Sequence, residues 1–113
     1  MMKLLTAAIT KKLLKNGVNR DKDHAPVVKF FGGGACTWLI SEMDLEEPDI
    51  LFGLCDLGFG TPELGSVSLT ELQGIKFRPF GLGVERDLYF TGKHPMSEYA
   101  DKAREAGRIV SSW

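Results

Sequence analysis

Three apolar runs, residues 27–31, 36–43 and 50–57, follow one another with only short links between them. The first link is Gly32-Gly33-Gly34, which takes positive φ without steric cost. The second, residues 45–49, is an acidic turn carrying Pro48. Parallel pairing of successive strands needs a crossover of a dozen or more residues, and neither link is long enough. The runs therefore predict an antiparallel meander. Within the middle run, alternation puts Cys36, Trp38 and Ile40 on one face and Thr37, Leu39, Ser41 and Met43 on the other.

The flanking sequence changes period. Leu5, Ile9 and Leu13 recur at helical spacing, Thr6 stands where a side-chain oxygen caps a helix start, and Asn16-Gly17 reads as its end. Residues 20–24 form a charged loop closed by Pro26. Residues 58–65 read as a glycine-rich loop. Ser68-Leu69-Thr70-Glu71 has the form of a capping box, opening a short helix through Leu72 that Gly74 stops. Residues 75–80 read as a short strand limited by Pro79, and residues 87–90 as a further strand. Residues 97–106 read as a helix with Tyr99, Ala100 and Ala103 on one face and Gly107 as its stop. The predicted fold class is α+β: an antiparallel sheet, the three-strand meander plus one or two further strands, packed with N- and C-terminal helices. Trp38, Ile40, Phe52, Leu54, Leu69 and Leu72 are expected to be buried together.

A length of 113 residues bounds this to one domain, residues 1–113, with a thin core. Fourteen basic and fifteen acidic residues leave a net charge of −1. That balance argues against a protein whose affinity for nucleic acid rests on an excess of Lys and Arg, although Lys11, Lys12 and Lys15 form a modest basic patch. Residues 1–14 do not read as a signal peptide, because Thr6, Thr10, Lys11 and Lys12 interrupt the apolar run. No stretch approaches the roughly 18 apolar residues of a membrane helix. The expectation is a cytoplasmic chain with no membrane partner. Cys36 and Cys55 lie inside strand runs and read as buried, reduced thiols, with a disulfide left open.

The candidate chemistry is sparse. His24, His94, Cys36 and Cys55 match no metal-ligand spacing, and loop histidines with strand cysteines are the ordinary reading. Glu42, Asp44, Asp56 and Glu63 lie at or just beyond strand ends, where a meander can bring carboxylates together to hold Mg²⁺ or to act as acid and base. Against this, strand ends reach water and carry charge for solubility, and no nucleophile accompanies these four. Gly58-x-Gly60 and Gly81-x-Gly83 lack a phosphate-loop pattern, and no serine or cysteine sits in a G-x-S-x-G setting. No catalytic residue and no cofactor are assigned.

Glu85-Arg86-Asp87, a charged triplet leading into Leu88-Tyr89-Phe90, is the most unusual segment. It reads either as a network that caps the sheet edge or as a rim that binds a partner. Strand alternation would send Arg86 to the side opposite Glu85 and Asp87, so its acidic partner is sought in Glu63 or Asp56.

A set of segments then resembles a known family. They run from Leu5-Thr6 and Lys12-Leu13-Leu14, through Val27 to Phe31, Trp38 with Glu42 and Asp44, and Leu51-Phe52-Gly53-Leu54 with Asp56. They continue through Pro62-Glu63-Leu64-Gly65 and Ser68-Leu69-x-Glu71-Leu72 to Gly81-Leu82-x-Val84-Glu85-Arg86-Asp87-Leu88-x-Phe90. Over about residues 4 to 99 the chain resembles domain of unknown function 2958. It departs from that pattern in the Gly32-Gly33-Gly34 turn and the Gly58-Phe59-Gly60 loop.

The resemblance implies a small bacterial protein of plasmids, integrative elements and phages, encoded near conjugation and anti-restriction genes, with no established activity. The functional expectation is a non-catalytic, protein-binding accessory factor of a mobile genetic element, countering host defence in the manner of an anti-restriction or anti-CRISPR protein. The binding candidates are Glu85, Arg86, Asp87 and Glu63, and the partner is a host or element-encoded protein. One alternative is a metal-dependent hydrolase or nuclease using Glu42, Asp44, Asp56 and Glu63. Another is a single-stranded nucleic-acid binder stacking bases on Trp38, Phe30 and Phe31. The oligomeric state is left open.

Overall fold

The structure is a computed structural model that describes residues 3–113; Met1 and Met2, part of the stretch weighed above as a leader, lie outside the described residues. The elements run α1 (Ala7–Val18), β1 (Val28–Gly32), β2 (Cys36–Met43), β3 (Ile50–Asp56), β4 (Glu63–Ser68), α2 (Leu69–Gly74), β5 (Glu85–Arg86) and α3 (Met96–Ala106). The five strands form one antiparallel sheet in the order β4-β3-β2-β1-β5. The meander, the α+β class and both terminal helices are as the sequence predicts.

Both faces of the sheet are covered. On one, Leu13 of α1 and Leu72 of α2 pack with Leu4 and Leu5 onto Phe30, Trp38, Ile40, Met43 and Leu51. On the other, Met96, Tyr99, Ala100 and Ala103 of α3 pack with Ile109 onto Leu39 and Leu54. The expected single cluster is therefore split. Leu54 lies opposite Leu39 on the α3 face, Phe52 is only half-buried, and Trp38, Ile40, Leu69 and Leu72 share the other side.

A bulge in β2 explains a second departure. Ile40 pairs with Gly53 and Glu42 with Phe52, so Ser41 is an extra residue in the ladder. One extra residue reverses the alternation. Met43 consequently joins Trp38 and Ile40 instead of opposing them, and Glu42 takes the α3 face.

The termini of α1 behave differently from each other. Thr6 Oγ1 accepts the Ile9 amide hydrogen at 3.1 Å, as a cap should. Gly17, however, does not end the helix, which continues to Val18. It is buried against β2 so closely that a Cβ would stand 2.2 Å from the Met43 carbonyl oxygen. The glycine is there to let two backbones meet. At the other end of the chain, Gly107 does stop α3 in the left-handed conformation, with φ of 71°.

Three further expectations are corrected. Residues 63–65, read as the end of a loop, open β4, which is paired along its whole length with β3. Residues 75–80 are not a strand: Phe77 and Leu82 make an isolated bridge around a turn that contains a cis Arg78–Pro79 bond. The last strand is Glu85–Arg86, not residues 87–90. Its two residues pair with Phe31 and Phe30, after which Leu88 and Tyr89 turn out to solvent.

Candidate functional site

The four strand-end carboxylates occupy separate places. Asp56 is buried at the end of β3, where Oδ1 accepts the Gly58 amide at 2.9 Å and Oδ2 accepts the Ile109 amide at 3.0 Å. Glu42 is buried four β3 positions away, opposite Phe52, a separation of about 13 Å along the strand. Burial raises its carboxyl above the usual range, and the charges of His24 and Arg20 offset part of that rise. Asp44 closes the turn after β2: its Oδ1 accepts the amides of Glu46 and Glu47, which hold it below the usual carboxylate range. Glu63 opens β4 and is exposed. Among the described residues, no three His, Cys, Asp or Glu side chains gather around one point that could hold a metal ion. Cys36 and Cys55 are free but only half-buried, not buried as expected; even so, desolvation pushes both thiols up, Cys55 to about 11, which leaves little thiolate at neutral pH.

The aromatics considered for base stacking divide as well. Phe30 and Trp38 lie inside the core, and only Phe31 reaches solvent.

The charged triplet has a composite structure. Arg86 is half-buried and its Nη1 donates to the Lys3 carbonyl at 2.6 Å, fastening the start of the chain to the sheet edge. Asp87 Oδ2 lies 3.8 Å from Lys29 Nζ, and its Oδ1 accepts the Tyr89 amide at 2.8 Å. Glu85 is exposed. Glu63 does not join them. It stands on β4 at the opposite edge, four strand spacings or about 19 Å from β5. Asp56, the other partner sought for Arg86, has both oxygens taken by backbone amides.

What the sequence did not reveal is the apolar surface on either side of this triplet. Before β5, Phe80 is 82% exposed and Leu82 63%; after it, Leu88 is 62% exposed and Tyr89 93%. Phe31, the partner of Glu85 on β1, is also exposed. A cleft of about 370 Å³ opens among Phe31, Phe77, Arg78, Phe80, Leu82 and Glu85. The glycine turn gives this cleft its wall. A Cβ on Gly32 or Gly33 would fall 2.3 Å or 2.5 Å from the Phe77 ring, so the ring lies flat on bare backbone. Isolated exposed apolar residues are ordinary, but here several large ones surround one outer strand, with Arg78 and Glu85 among them.

No helix of the described chain is long and apolar enough to cross a membrane. Residues 4–110 match the model of a family described as Protein of unknown function (DUF2958). No curated protein and no solved structure matches the chain.

Proposed function

The chain belongs to the DUF2958 family, and from that starting point we propose that it is a non-catalytic binding domain whose working surface is the β5 rim. The observation that carries this reading is the exposure of Phe80, Leu82, Leu88 and Tyr89 at the two ends of Glu85–Arg86. Aromatic and arginine side chains supply most of the energy at protein interfaces, and large apolar groups left in water gain from being covered. The partner that fits is a folded protein with an apolar patch ringed by charge, because the rim offers both signs in Arg78 and Glu85. In the mobile-element setting expected above, that partner is a host protein, and the domain acts by occupying its surface.

Affinity capture from host lysate, with the intact protein and a Phe80→Ser/Tyr89→Ser variant as paired baits, tests the reading. A protein retained by the first and absent from the second, with both baits melting alike, supports it. Equal capture by both removes the rim from the function. The scattered carboxylates lend no observation in favour of the hydrolase alternative.

A further inference from the structure

A second concave surface shares no lining residue with the rim cleft, and its charge is at odds with the near-neutral chain. A cleft of about 620 Å³ opens between the C-terminal half of α1, the loop that follows it, and residues 90–92. Lys12, Lys15, Lys22 and His24 line it together with Asn16 and Asn19, and no aspartate or glutamate does. Ala25, Pro26, Val27 and Phe90 supply an apolar wall.

Two neighbouring carboxylates are engaged elsewhere. Asp23, in the loop, is held by the amide and hydroxyl of Ser97, and Glu42, on β2, is buried. The C-terminal end of α1 contributes roughly half a negative charge, which three ammonium groups outweigh. His24 Nε2 contacts the Asn19 carbonyl at 2.7 Å; donating there leaves Nδ1 as the ring's other polar atom.

We propose that this cleft binds a small phosphorylated ligand of about mononucleotide size, with the phosphates on Lys12, Lys15 and Lys22 and a flat apolar group against Phe90. The volume is that of a small-molecule site, with lysine as a point-charge phosphate binder. Three lysines in one recess suit a compact anion. A nucleic-acid strand would need a longer basic track than these three lysines supply.

Calorimetric titration at low salt, without divalent ions, tests this with four probes: ATP, adenosine, inorganic phosphate and a twelve-nucleotide oligothymidylate. ATP should bind at sub-millimolar concentration, phosphate more weakly, and adenosine more weakly still. Lys12→Glu/Lys15→Glu should weaken ATP at least tenfold, and Lys22→Ala should weaken it less. All three lysines are exposed, so the variants should melt as the parent does. Failure of ATP to bind at millimolar concentration, or binding indifferent to both variants, overturns the proposal. So does an oligothymidylate that binds more tightly than ATP, since that identifies a strand-tracking surface.

Discussion

Asp56 and Ile109 are 53 residues apart in sequence and joined by a buried hydrogen bond, the Ile109 amide donating to Asp56 Oδ2 at 3.0 Å. The second oxygen holds the Gly58 amide, so one carboxylate fixes both the turn after β3 and the chain beyond α3. Asp56→Ala leaves two amides without their acceptor. The expected loss is about 1–3 kcal/mol, read as a lowered urea midpoint. If the residue instead serves a metal, the variant should keep the parent's stability in chelator and fall behind only when metal is added.

Glu42 should behave in the opposite sense. Its carboxyl is raised by burial, so ionising it costs the folded state more than the unfolded one. Its contribution is at its most favourable below the unfolded pKa and is lost as pH rises through the higher folded value. Glu42→Gln should therefore melt above the parent at pH 7, and the gap should close below about pH 4. Parallel melting curves across that range would show that burial does not penalise the charge.

Trp38 is 2% exposed and sits between β2 and the α1–α2 layer. Trp38→Ala should cost about 3–5 kcal/mol, through lost transfer energy and the cavity left behind. Equilibrium urea unfolding provides the number, and an unchanged midpoint would place the ring outside the core.

Arg86 separates fastening from recognition. Its bond to the Lys3 carbonyl joins a half-buried side chain to the start of the chain, so Arg86→Ala should lose about 0.5–1.5 kcal/mol of stability. Partner capture per folded molecule should survive. A normally melting Arg86→Ala protein that no longer captures its partner would move the residue from support to contact.

The uneven legibility of this sequence has physical causes. Residues 28–56 were readable because each strand carries its own burial signal and each link its own turn chemistry. β4 was less so: Glu63, Leu64 and Ser66 on an outer strand face water, and Gly65 weakens the pattern further. β5 has no pattern of its own. Its pairing comes from Phe30 and Phe31, and the apolar string at Leu88-Tyr89-Phe90 points to the wrong place because two of its members are exposed. The bulge at Ser41 has no signature in composition, yet it decides which layer receives Met43. The basic cleft was half visible as Lys12 and Lys15 on one helix. Lys22, His24 and Phe90 join them only once the chain has folded back.

The covering of β2 on both faces has a bearing on how the molecule opens. Trp38, Ile40 and Met43 hold one layer and Leu39 the other, so the two apolar layers are fastened to the same stretch of backbone. Neither can detach while that backbone stays in place without leaving the other half of the strand bare. Amide hydrogens in residues 38–40 should thus exchange with solvent only when the entire domain unfolds, whereas the outer strands β4 and β5 exchange through local fraying. Loss of either layer ends in one cooperative transition, with no stable half-folded form in which α3 has left and α1 remains.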